Sequence, residues 1–447
     1  MPFQQDVVVV GSGPLGIATA RRLSERGANV LVLEQGEAIS EPPGSHYRNS
    51  EQFLRDPDSY LPAATKFLEF LDDKVPRDAL PGAAVTRVMG GQGVIWTNLC
   101  PRGDALWPVM TDEVWSEHYL LAEKYLGVQT DNLDRSIRQT SICAAINART
   151  SATDRIAEAL PVAGKYRNDG KLHYTGSIDI LNASADAQGK VSISHERVDR
   201  IVHDGPNVKW LETASGRIEA SSYVIAGGAI ATPQLLFRSG IRSRALGRYL
   251  SYHPLAVCQV VVRPEFCRTD GQTDVDPRIQ MRPSVQSPWY TLVLHDVSPF
   301  TPTGEDAEIE PGRLVEIQSI CPVDNEEHKR AIFHEDGRIT FEVPLSEADL
   351  ARMEAAEREA GELTDLIGRT RESCAFTWMP FGFAHMTGTT RMSKEDDGTG
   401  VSDYRGRVWG YDNLYLATNG LIPTRMSVNP TLTGVCLAIH VADQIET

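Results

Sequence analysis

The sequence predicts an α/β fold, and two stretches predict it. Near the start, "DVVVVGSGPLGIATARRLSERGANVLVLEQG" passes from a β-branched strand through a glycine turn into an amphipathic helix and a second apolar strand, a βαβ unit over residues 6–36. Further on, "VSISHERVDRIVHDGPNVKWLETASGRIEASSYVIAGGAIATPQLLFRSGI" alternates as strands do across "DGPN" and "ASGR" turns. It closes with a buried strand, "SYVIAGG", and a helix opened by Thr232-Pro233. At 447 residues the chain exceeds what one hydrophobic core organises, so two parts are expected.

The remaining elements follow in chain order. Residues 40–85 are rich in Pro, Ser and charge, with a helical patch at "AATKFLEFLDDKV". "RVMGGQGVIWTNLCPR" is glycine-dense and aromatic, the composition of a loop placed for contact. From about 252 to 380 strands return, among them "AVCQVVVRP" and "WYTLVLHDV". The charged segment "LSEADLARMEAAEREAGELTDLIGRT" reads as a helix whose charges form a solvated face with i,i+4 pairs. "NPTLTGVCLAIHVADQI" opens on Asn-Pro and continues as a buried helix.

Composition excludes several classes. The net charge of −16, from 44 basic and 60 acidic side chains, argues against a nucleic-acid partner, which needs clustered Lys and Arg. Seven cysteines lie scattered without any C-x-x-C spacing, so neither a disulfide framework nor a metal site is expected, and a reducing cytoplasm fits. No apolar run is long enough to span a membrane, and "MPFQQD" is no signal peptide.

Within the βαβ unit, Gly11, Gly13 and Gly16 form G-x-G-x-x-G between strand and helix, and Glu34 follows 18 residues after Gly16 at the end of the second strand. The glycines let the backbone approach a pyrophosphate at the positive helix N-terminus, and Glu34 would accept a hydrogen bond from the adenosine ribose. That pattern predicts a dinucleotide without choosing between FAD and NAD.

Four segments decide the choice by resemblance. The βαβ unit, "RVMGGQGVIWTNLCPR", "AGGAIATPQLLFRSGI" and "GRVWGYDNLYLATNGLIPTRMSVNPTLTGVCLAIHVADQI" with the loop around His385 occur in the order found in glucose-methanol-choline (GMC) oxidoreductases. The chain resembles that family, and most of all pyranose oxidases and bacterial sugar- and glycoside-oxidising members. The resemblance implies a Rossmann-like FAD-binding domain from residues 1–102, 190–252 and 382–447, interleaved with an α+β substrate-binding domain of antiparallel sheet from 103–189 and 253–381. It also implies that Gly91, Gly93, Trp96 and Thr97 flank the flavin, and that the backbone of Val198 meets the adenine edge. Asn419 and Gly420 would lie against the ribityl or pyrophosphate, with Pro430 and Thr431 at a helix N-terminus by the pyrimidine side of the ring. Several members tether the flavin through a histidine two residues after the last glycine of the flavin loop. Ile95 stands there, so noncovalent FAD is expected.

Alcohol oxidation removes a hydride from carbon and a proton from oxygen. The resemblance places a histidine for the proton in an H-x-x-G-T-x-R-M loop, here His385, and a partner in the closing N-P segment, here Asn429. A neutral amide donor would hold the alkoxide oxygen. His253, in "GRYLSYHPL", reads as structural or as a neighbour of the substrate cavity. Trp289, Tyr290, Trp378, Phe381 and Phe383 are candidates for a sugar-stacking wall, with core packing the competing role for each. The expected substrate is a small carbohydrate-like alcohol, with O2 or another electron acceptor. The same chemistry on a non-sugar alcohol and a non-redox lyase on the same scaffold are the rival readings.

Overall fold

The computed structural model describes residues 5–71, 80–104, 106–130, 136–151, 153–166, 172–184, 189–271, 274–295, 307–379, 382 and 384–446. A five-stranded parallel sheet runs in the order Leu414–Leu416, Ala220–Ile225, Gln5–Val10, Val30–Glu34, Val191–His195. Val7, Val8 and Val9 have no exposure, as expected of a central parallel strand covered on both faces. Burying each such side chain contributes roughly 1.5–3 kcal/mol, which is why an unbroken β-branched run can sit here. Helix Pro14–Glu25 packs against the closing helix Thr431–Gln444, and the antiparallel meander Val198–Asp204, Asn207–Thr213, Gly216–Ile218 adds Ile201 and Leu211 to the same core.

The second sheet is antiparallel, in the order Gly368–Thr370, Leu255–Val262, Leu314–Ile320, Tyr290–Leu294, Arg278–Met281, Ala157–Ala159, with Thr377–Met379 also paired to Leu255–Val262. One face, carrying Val260, Ile279, Val293 and Ile317, is packed beneath helices Ile137–Arg149 and Glu347–Ile367. Strand alternation turns the buried Gln259, Gln280, Glu316 and Gln318 to the other face, beside Tyr290 and Leu292.

Several local expectations change. The helical patch after residue 62 ends at Lys66, and Leu68–Phe70 pairs as a strand with Ala84–Thr86. The helix expected to open at Thr232-Pro233 begins one turn earlier and spans Gly228–Arg238, with Pro233 inside it. Not all charges of helix Glu347–Ile367 are solvated: Asp349 binds Nζ of the fully buried Lys329 at 2.7 Å, and Glu359 binds both Arg155 and the Trp289 indole at 2.8 Å. Of the candidates for a sugar-stacking wall, Trp289 packs with Ala356 of that helix in one cluster, with Trp378 partly buried against it. Phe381 and Phe383 lie outside the described residues. Helix Asp112–Leu126, assigned by sequence to the substrate part, packs against Thr431–Gln444, where the Tyr119 hydroxyl meets the Thr433 hydroxyl at 2.8 Å.

Candidate active site

A cleft of about 660 Å³ opens where the parallel strands end, lined there by Val10, Glu34, Ile225 and Ala417. This is where open α/β sheets bind ligands. The glycine loop shapes one wall. A Cβ on Gly16 would stand 2.0 Å from the Gly11 carbonyl oxygen, so only glycine lets the helix begin that close to the turn. Gly13 caps helix Pro14–Glu25, and a Cβ there would meet nothing within 4 Å. It opens onto the cleft at a helix start that no side chain caps, a cradle that suits a pyrophosphate.

The Glu34 carboxylate braces this loop. One oxygen accepts from the Ser12 N–H at 2.9 Å and the Ser12 hydroxyl at 2.7 Å, and the other accepts from the Gly36 N–H at 2.7 Å. Ser12 Oγ in turn accepts from the Gly90 N–H at 2.8 Å, which joins the two glycine-rich loops. A carboxylate has about four acceptor positions, so a ribose hydroxyl still finds one beside the three in use.

His385 also lines the cleft. Its φ of 60° is left-handed, a conformation that costs about 1–3 kcal/mol for a non-glycine residue. The loop after it offsets that cost by docking on both sides. Ser251 and Thr387 exchange backbone hydrogen bonds of 3.1 and 2.9 Å, while Thr390 N–H donates to Gly420 at 3.0 Å and Met392 N–H to Leu421 at 2.9 Å. Each such bond is worth roughly 0.5–1.5 kcal/mol. The antiparallel Ser251–Thr387 bridge also sets register: two residues along each segment, His253 falls opposite His385. Their Nδ1 atoms lie 3.1 Å apart. Asn429, 4% exposed, brings Nδ2 to 3.0 Å from His385 Nε2 from the start of the closing helix. Burial, and secondarily the neighbouring His253, hold the His385 imidazole well below its usual pKa. The His385 imidazole is therefore neutral and meets the Asn429 amide nitrogen, a donor.

Of the residues expected from sequence, Gly11, Gly13, Glu34, Gly91, Gly93, Trp96, Val198, Asn419, Thr431 and His385 line the cleft. Gly16, Thr97, Gly420, Asn429 and Pro430 do not; Asn429 meets the cleft only through His385. Gly420 faces the Thr389 and Thr390 hydroxyls, and Pro430 caps the closing helix. Ile95 packs with Tyr47, Tyr60 and Ala63 in a satellite core. Sequence reasoning missed Gly227, Gly228, Arg197, Arg238 and the hairpin tip Glu335–Gly337, all of which line the cleft. The "AGG" ending a buried strand was the signal for the first two. Nothing local marked the hairpin, because it reaches the cleft from a strand pair of the other part, Arg330–Phe333 with Ile339–Glu342.

Comparison with known proteins gives the site a context. The model of the "FAD dependent oxidoreductase" family matches residues 6–285, and that of the "GMC oxidoreductase" family matches residues 334–438. The chain is 32% identical over 505 residues to a C-glycoside 3-oxidase of Microbacterium trichothecenolyticum, covering 99% of this chain and 98% of the relative. It is 27% identical over 531 residues to a pyranose 2-oxidase of Tricholoma matsutake, covering 98% and 93%. A solved structure, pyridoxine 4-oxidase from Mesorbium loti, superposes with a TM-score of 0.66 at 18% identity over 98% of this chain and 99% of that one, a likeness of fold.

Proposed function

This chain belongs to the GMC oxidoreductases and binds FAD, and on that footing we propose that it oxidises a ring hydroxyl of a sugar or glycoside to the carbonyl, with His385 as the base. The observation that carries the reading is the pairing of His385, which lines the cleft, with Asn429, Nε2 to Nδ2 3.0 Å. The names of the relatives, C-glycoside 3-oxidase and pyranose 2-oxidase, support the substrate class and support dioxygen as the electron acceptor.

FAD, when bound, supplies the hydride acceptor. Everything else falls to side chains of this chain. Substrate oxygen entering between His385 and Asn429 would exchange their mutual hydrogen bond for one to each. His385 Nε2 takes the hydroxyl proton, and Asn429 Nδ2–H donates to the oxygen as negative charge develops there. Asn429 stays neutral throughout, so it holds the alkoxide without competing for the proton. Thr431 brings the start of the closing helix to the cleft, and with it a partial positive charge suited to an anionic neighbour.

The test is anaerobic mixing of the yellow protein with sugars, glycosides, amino sugars and simple alcohols, followed at the flavin absorbance. Bleaching by a sugar or glycoside is expected, with rapid return of colour when air is admitted. Bleaching by simple alcohols alone would overturn the substrate class, and no bleaching by any compound would overturn the alcohol oxidation.

A further inference from the structure

We infer that His253 is a positioning residue that selects the tautomer of His385, so that the nitrogen facing Asn429 carries the lone pair; the inference rests on His385 being the base. A neutral imidazole has one donor and one acceptor nitrogen, and the partners decide which is which. The Met426 carbonyl can only accept, so His253 Nε2, 2.6 Å from it, is the donor. His253 Nδ1 is then the acceptor, and His385 Nδ1 at 3.1 Å must carry the proton it receives. That leaves Nε2 of His385 bare, 3.0 Å from the Asn429 amide.

Asn429 cannot enforce this choice alone. Its Oδ1 is buried with no hydrogen-bond partner among the described residues. A half-turn of the amide would present that oxygen to Nε2 and suit the opposite tautomer equally well. His253 has no such freedom, because its own proton is held by a main-chain carbonyl. The relay also requires His253 to stay neutral, since an imidazolium would donate from both nitrogens. His253 is 1% exposed, and burial pushes its imidazole down to about 4 against the Met426 carbonyl and the Asp104 carboxylate, which pull the other way. His385 and Asp104 are the titratable groups that act on it among the described residues. The signal is absent from local sequence: residues 253 and 385 meet only through the register of the Ser251–Thr387 bridge.

Two variants separate tautomer selection from packing. The substitution His253→Asn would place a carbonyl oxygen where Nδ1 stood, keeping an acceptor for His385 while filling less space. His253→Leu fills the space and offers no acceptor. In FAD-loaded enzyme under anaerobic stopped flow, His253→Leu should lose ~10²-fold in the limiting rate of flavin reduction with little change in apparent substrate affinity, and His253→Asn should stay within ~5-fold of wild type. A packing role predicts the reverse order, so Leu equal to or better than Asn overturns the inference. Independently of any variant's stability, ¹⁵N spectra of histidine-labelled wild-type protein should show His385 protonated at Nδ1 and bare at Nε2. A proton on Nε2 overturns it. His385→Ala serves as the control for the underlying reading: an undiminished reduction rate there refutes His385 as the base, whereas a loss there with an unaffected His253→Leu refutes this inference alone.

Discussion

A histidine can serve as a base only if the correct nitrogen is bare, correctly aimed and unprotonated at the working pH. His385 satisfies the aim through an unusual backbone, φ 60°, held by a loop that is hydrogen-bonded on both flanks. His385→Ala should keep FAD, because the glycine loop and Glu34 rather than this side chain form the nucleotide cradle, yet lose ~10²-fold or more in flavin reduction rate. The reduction rate should also depend on pH with a definite sign. His385 works unprotonated, and burial with the neighbouring His253 lowers its pKa well below 6.5. The rate should therefore hold its plateau through pH 6.5 and fall only at lower pH, as the imidazole charges. Stopped-flow reduction across pH measures this, and an acid limb centred at or above 6.5 would contradict the burial argument. His385 and Asn429 were legible as a pair because their surrounding motifs are local. The partner of His385 at Nδ1 was not, since it arrives from 132 residues away.

Among the elements, one hydrogen bond links the loop of the base to a helix beneath the cleft. Pro233 has no N–H, so within helix Gly228–Arg238 the Ala229 carbonyl four residues earlier loses its helical partner. The Thr389 hydroxyl donates to that carbonyl. Thr389→Val keeps the shape and removes the donor to a part-buried carbonyl, at a cost of roughly 0.5–1.5 kcal/mol. A lower melting temperature is expected for it, with Thr389→Ser near wild type; equal melting of all three would refute the link. The same proline shows how sequence reading failed locally. Thr232-Pro233 looks like a helix start because proline suits a first turn, and only a donor 156 residues further along the chain makes it tolerable inside. Likewise "AATKFLEFLDDKV" has helical composition, but pairing with Ala84–Thr86 draws Leu68–Phe70 into a strand. The βαβ unit was legible because its strand, glycine turn and helix are contiguous, with Val7, Val8 and Val9 marking a strand buried from both sides.

Over the full chain, residues from both parts line the cleft, and Ile95 offers no tether to a flavin. An isoleucine forms no bond to a flavin, and its side chain is packed with Tyr47 and Tyr60 instead. Acid or heat denaturation should release all the yellow colour into a filtrate, and colour retained by the precipitate would reveal a covalent link at another residue. The order of the parallel sheet has a different consequence. Strand Leu414–Leu416 pairs with Ala220–Ile225, and helix Thr431–Gln444 packs on helix Pro14–Glu25, so the first and last stretches of the chain complete one another. During translation the glycine loop emerges well before the sheet edge, Asn419 and Thr431 that finish the same cleft. The nascent chain must therefore carry an unfinished nucleotide site until those later residues emerge, and cofactor capture has to wait for them.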